Sequence, residues 1–189
     1  MRRARFGVGC CVVVAAVGLA ACGGSGKSSS SDGQAANTSN SANAANGKDI
    51  TCSSLNTTAA QAIVGGPIDE PKPASTPSTG CSWYLKTDDL SVHGITALNT
   101  STVVFDGTKR AQASADVQKM FTYESVSGIG DDAFFQMPAT PPKSSLVAQA
   151  ILLVKQGNHA YNISVTKKGA SLDEIKAMEK QAARELLQG

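Results

Sequence analysis

Two histidines, His93 and His159, are the whole imidazole complement of the 189-residue sequence. A transition-metal site needs three or four ligands. No second histidine, cysteine or acid stands at ligand spacing beside either one, so no metal and no cofactor is expected. There is no Gly-x-Ser-x-Gly elbow and no Walker loop, which removes the local signatures of a hydrolase nucleophile and of a phosphate cradle. That absence is a weak argument against catalysis, because many active sites assemble from residues distant in sequence. No run of lysine and arginine occurs beyond the first residues, so nucleic-acid binding lacks its electrostatic footprint. The one long apolar stretch, residues 7–21, is shorter than the ~20 residues a helix needs to cross a bilayer, and no retained span is expected.

What is present begins with an address. Arg2, Arg3 and Arg5 precede that stretch of small and β-branched residues, and Gly and Ser follow it; this is the anatomy of a signal peptide. The stretch ends Leu19, Ala20, Ala21, Cys22 and resembles the bacterial lipobox, in which the cysteine thiol receives a diacylglyceryl group and the chain is cut just before it. Cys22 is therefore expected to be the lipidated first residue of the mature chain. Each buried acyl CH₂ contributes about 0.8 kcal/mol, so two or three long chains hold a protein at a membrane. Three of the 17 Lys and Arg leave with the signal, so 14 remain against 15 acidic residues. Cys10 and Cys11 leave with it too. Cys52 and Cys81 then form an even pair in an exported protein, for which a disulfide is the default reading.

Residues 23–48 read GGSGKSSSSDGQAANTSNSANAANGK, with no apolar side chain larger than alanine. Such a segment buries too little to offset its chain entropy and is expected to be a disordered tether, with an r.m.s. span of roughly 25 to 30 Å. The sequence thus divides into a signal peptide over 1–21, a lipidated cysteine and tether over 22–48, and one globular domain over 49–189.

Within the domain, Asn56 or Thr57 is placed to cap a short helix, TTAAQAIV, that Gly65 and Gly66 end. Residues 81–86 and 90–98 read as strands, and 103–105 as a short strand or loop. Residues 107–121 have helical composition. Residues 145–155 form an apolar strand, 156–158 a turn, and His159, Tyr161, Ile163 and Val165 alternate with smaller or polar residues, which predicts a hairpin with one buried face. Ser171 with Glu174 is a capping box, after which Leu172, Ile175, Met178, Ala182 and Leu186 recur at helical spacing. The order predicts an α+β fold: a mostly antiparallel sheet of about five to six strands with helices on one face.

Cys52 with Leu55 and Gly65, then Cys81 and Trp83 as Cys-x-Trp, then Gly-Ile-Gly-Asp-Asp-Ala over 128–133, then a late strand pair and terminal helix together resemble a family of actinobacterial envelope lipoproteins known only as a domain of unknown function. The resemblance covers most of the domain. It implies an envelope lipoprotein with a disulfide and carries over no catalytic residue.

Two local patterns suggest sharper chemistry and fail on arithmetic. GCSW at 80–83 and GNHAY at 157–161 superficially resemble the cysteine and histidine neighbourhoods of papain-like proteases. Cys81 and His159 are far closer in sequence than the ~130 to 150 residues usual there, and a bonded sulfur forms no thiolate. In SGIGDDAFF, at 127–135, the glycines precede two phenylalanines rather than a helix, so a tight turn with Asp131 accepting backbone hydrogen bonds is expected in place of a phosphate loop. A Ca²⁺ site on Asp131 and Asp132 would need further oxygen ligands, which are not nearby in sequence. The sequence therefore predicts a lipid-anchored protein on the extracytoplasmic face of the cell membrane, which binds an envelope protein or an apolar small ligand. The alternative is an envelope enzyme or cell-wall hydrolase accessory with a non-local active site.

Overall fold

The computed structural model describes residues 47–74, 79–86, 94–141 and 149–188. The segment expected to be a signal peptide, Cys22, most of the expected tether and His93 lie outside the described residues. In chain order the elements are α1 (Thr57–Val64), β1 (Lys72–Pro73), β2 (Thr79–Tyr84), β3 (Gly94–Thr100), α2 (Thr102–Ala111), α3 (Ala115–Met120), β4 (Phe121–Val126), β5 (Asp132–Pro138), β6 (Ile151–Gln156), β7 (His159–Thr166) and α4 (Leu172–Gln188). The strands form one antiparallel sheet in the order β1-β2-β3-β7-β6-β5-β4. This is the expected α+β fold, with seven strands against the five to six expected.

Local chemistry explains the helix ends. Asn56 Oδ1 accepts from the Ala59 N–H at 2.8 Å, and Gly65, at φ 79°, returns its N–H to Gln61. At α4 the Glu174 carboxylate accepts from Ser171 N–H at 2.7 Å, and Ser171 Oγ accepts from Glu174 N–H at 3.3 Å. This is the reciprocal box expected there. The backbone and side-chain bonds from Ser171 hold the Glu174 carboxyl below its ordinary pKa.

Three expectations are corrected. Residues 103–105 belong to α2, because Ser101 Oγ accepts from Val104 N–H at 3.2 Å and caps a helix there, while Phe105 anchors it to the sheet. The helix expected over 107–121 breaks at Gln112–Ser114 into α2 and α3, and Phe121 already belongs to a strand. The helices also occupy both faces of the sheet rather than one.

The two faces follow from strand alternation. Ala133 and Phe135 of β5, Leu152 and Val154 of β6, and Tyr161, Ile163 and Val165 of β7 join Trp83, Ile175 and Leu186 in the main core beneath α1 and α4. Phe134, Leu153 and Ala160 point the other way and pack with Phe105 of α2, the Phe105 and Phe134 rings lying 5.0 Å apart.

Candidate functional site

The first described residues are docked onto the sheet. Tyr161 Oη donates to the Lys48 carbonyl at 2.8 Å. Asn99 accepts from Ile50 N–H at 2.7 Å and donates to Ile50 C=O at 2.9 Å, so its amide takes the place of a neighbouring strand's peptide group. His159 Nδ1 lies 3.3 Å from Asp49 Oδ1, and its ring stacks on Tyr161. Burial raises the Tyr161 phenol above its ordinary pKa; the bond to Lys48 opposes this and Asp49 adds to it. A Cβ on Gly47 would stand 2.4 Å from the Gln156 carbonyl oxygen, so only glycine lets the chain approach here. Gly47 and Lys48, counted with the tether on composition, therefore lie against the folded domain.

Just downstream, Cys52 and Cys81 form a disulfide with Cα atoms 5.0 Å apart. It ties the turn before α1 to the centre of β2, and closing a loop of this length contributes ~3.5 kcal/mol on the chain-entropy estimate. Between the docked segment and the β1–β2 edge lies an open groove of about 430 Å³, whose lining of mainly apolar surface includes Ile50, Cys52, Pro73, Ala74, Gly80 and Asn99.

The remaining sequence candidates have structural partners. Cys81 is fully buried and bonded to Cys52, so it supplies no thiolate to His159. Asp131 accepts from Gly157 N–H at 2.6 Å, the backbone role expected of it, with Gly128 and Gly130 at φ 75° and 58°. Asp132 pairs with Lys109. Among the described residues no three His, Cys, Asp or Glu side chains are grouped to share a metal ion. Comparison with protein-family models, with curated proteins and with solved structures finds no match to this chain.

The sequence reading passed over Glu179. It stands in the stripe of Ile175, Ala182 and Leu186, and it is wholly buried. Its Oε1 accepts from Val165 N–H at 3.0 Å. The β6–β7 pairing stops at Leu152↔Ile163, so the carboxyl serves an N–H that the ladder leaves over. Oε2 has no hydrogen-bond partner, and burial pushes the pKa up to about 8. An acid three or four residues from apolar neighbours on a helix was the signal available, and it was outweighed by the ordinary preference of Glu for solvent.

Proposed function

We propose that this protein is a lipid-anchored extracytoplasmic lipoprotein whose domain is a binding module for another envelope protein. The anchor reading rests on Cys22 directly after Leu-Ala-Ala behind a basic and apolar leader. No helix among the described residues is long and apolar enough to cross a membrane.

The observation that carries the binding reading is the apolar groove beside the disulfide, open to solvent rather than closed. A small apolar ligand is held by a cavity that buries most of its surface. An open groove suits side chains presented by another protein. The non-catalytic reading is supported by the chemistry of the two reactive candidates: the Cys81 sulfur is bonded, and Glu179 is sealed from any substrate.

A photo-crosslinking amino acid at Ala74, in the whole chain expressed in its own cells, is expected to yield a discrete protein adduct, and Ala74→Arg is expected to abolish binding by filling the groove. An adduct with a lipid or other small molecule would replace this reading with ligand carriage. Cys22→Ala is expected to move the protein from the membrane to the soluble fraction, and unchanged fractionation would overturn the anchor.

A further inference from the structure

One wall of the groove is not part of the sheet. Residues 47–51 form a strap whose Asp49, Ile50 and Thr51 line the groove together with Pro73 and Ala74. Downstream the strap is fixed covalently, because Cys52 is bonded to Cys81 of β2. Upstream it is held without covalent bonds. Ile50 is buried in the main core, and polar contacts tie Lys48 to Tyr161, Asp49 to His159 and Ile50 to Asn99. A segment with so little apolar anchorage opens locally at a lower free energy than the whole fold.

Three of the residues beneath the strap stand in one row. Thr79, Asn99 and Tyr161 are opposite one another across β2, β3 and β7, and residues paired in this way share a face of the sheet. Asn99 is the middle of the row. Its Oδ1 accepts from Ile50 N–H at 2.7 Å, and its Nδ2 donates to Ile50 C=O at 2.9 Å and to Thr79 Oγ1 at 3.0 Å. A side-chain amide carries two N–H donors, so both are committed and neither is left for an occupant of the groove. Asn99 lines the groove, yet its donors serve the strap and the start of β2.

We infer that Asn99 is the positioning residue of the groove: it clamps the strap so that this wall is in place, and partner binding is thereby coupled to docking of the strap. The inference rests on the reading of the groove as a protein-binding site. Where only the docked form has the wall, apparent affinity falls in proportion to the fraction docked, and an occupant in turn holds the strap closed. The strap continues the segment expected to be the tether, so a load from that side meets these bonds before it reaches the disulfide.

Asn99→Leu tests the clamp, because leucine is close to asparagine in shape and makes the groove more apolar. A residue that only lined an apolar groove would permit binding as good or better after this change. The expected result is the reverse. In the whole chain in its own cells, the adduct formed by a photo-crosslinking amino acid at Ala74 is expected to fall about tenfold or more. Exchange of the Ile50 amide hydrogen in the purified chain is expected to quicken about tenfold or more, with circular dichroism unchanged. Gly47→Ala combined with Tyr161→Phe loosens the strap from its other end at positions that do not line the groove, and is expected to move both readouts the same way by a smaller factor. If Asn99→Leu does not fold, this double variant decides by the same two readouts. Faster Ile50 exchange with the adduct retained, or loss of the adduct with exchange unchanged, overturns the clamp while the adduct of the parent chain upholds the binding reading. Absence of an adduct from the parent chain overturns the binding reading and the clamp with it.

Discussion

The two faces of the sheet carry different kinds of packing. Beneath α1 and α4 the core is continuous from Trp83 to Leu186; within it Trp83 Nε1 donates to the Leu55 carbonyl at 3.1 Å, and Glu179 receives the Val165 N–H on Oε1 but leaves Oε2 without a partner. On the opposite face one helix, α2, covers a small cluster around Phe105, Phe134 and Leu153. Its flanks are ionic, with Lys155 on Asp106 at 3.0 Å and Lys109 on Asp132. Its outer surface leaves Val103 74 % exposed. A face closed by two helices and a disulfide is a rigid foundation, whereas a face closed by a single helix is able to give.

The sharpest test of that difference compares the aromatic at the centre of each face. Trp83→Ala is expected to cost roughly 3–5 kcal/mol, because it leaves a large cavity and strands the Leu55 carbonyl. Phe105→Ala is expected to cost about 2–3 kcal/mol, at or below the low end of the usual range, because α2 settles into the space. Urea denaturation of the two variants measures both. A larger loss for Phe105 would reverse the ranking of the faces.

Removal of the crosslink probes the main face alone. Replacing Cys52 and Cys81 together by serine is expected to lower stability by roughly 2–5 kcal/mol, and alkylation of the unreduced, denatured chain is expected to label neither cysteine. Rapid labelling of Cys81 before reduction would contradict the bonded pair.

The last effect is a pH slope confined to the same face. Unfolded, the Glu179 carboxyl titrates near its ordinary 4.5, and folded near about 8. Between those values the folded state holds the proton and the unfolded state does not, so raising the pH destabilises the fold. The contribution is fully present below 4.5, declines by on the order of 1.4 kcal/mol per pH unit, and is gone above the folded value. Glu179→Gln keeps an acceptor for Val165 N–H and removes the titration. The difference in stability between wild type and Glu179→Gln is therefore expected to change across this window, and a constant difference would show that the carboxyl does not titrate there.

Much of the fold was legible where a local signal had a single reading. Asn56, Gly65, and the Ser171 and Glu174 pair mark helix ends because their side chains or φ values satisfy backbone groups within a few residues. The alternation of Tyr161, Ile163 and Val165 marked a strand because its period is two. Residues 103–105, the break at 112–114 and Phe121 were misread for the opposite reason. β-branched Val103 and Val104 favour a strand, and the alanines and lysines up to Met120 favour a helix, but the Ser101 cap and the burial of Phe105 against Phe134 reversed the first preference. The second held through Met120, and pairing of Phe121 to Val126 with β5 ended it there. The groove was not legible, because Ile50, Ala74, Gly80 and Asn99 come from segments that only the fold brings together.

By itself, the sequence determined the short-range features: the even cysteine pair and the helix caps. Each depends on residues in one stretch or on a count, so no knowledge of distant neighbours was needed. Tertiary structure alone decided which helix lies on which face and that Glu179 is interior. These are properties of where an atom's neighbours come from. Burial and the loss of hydration that raises a carboxyl pKa arise only when strands and helices far apart in the chain close around it.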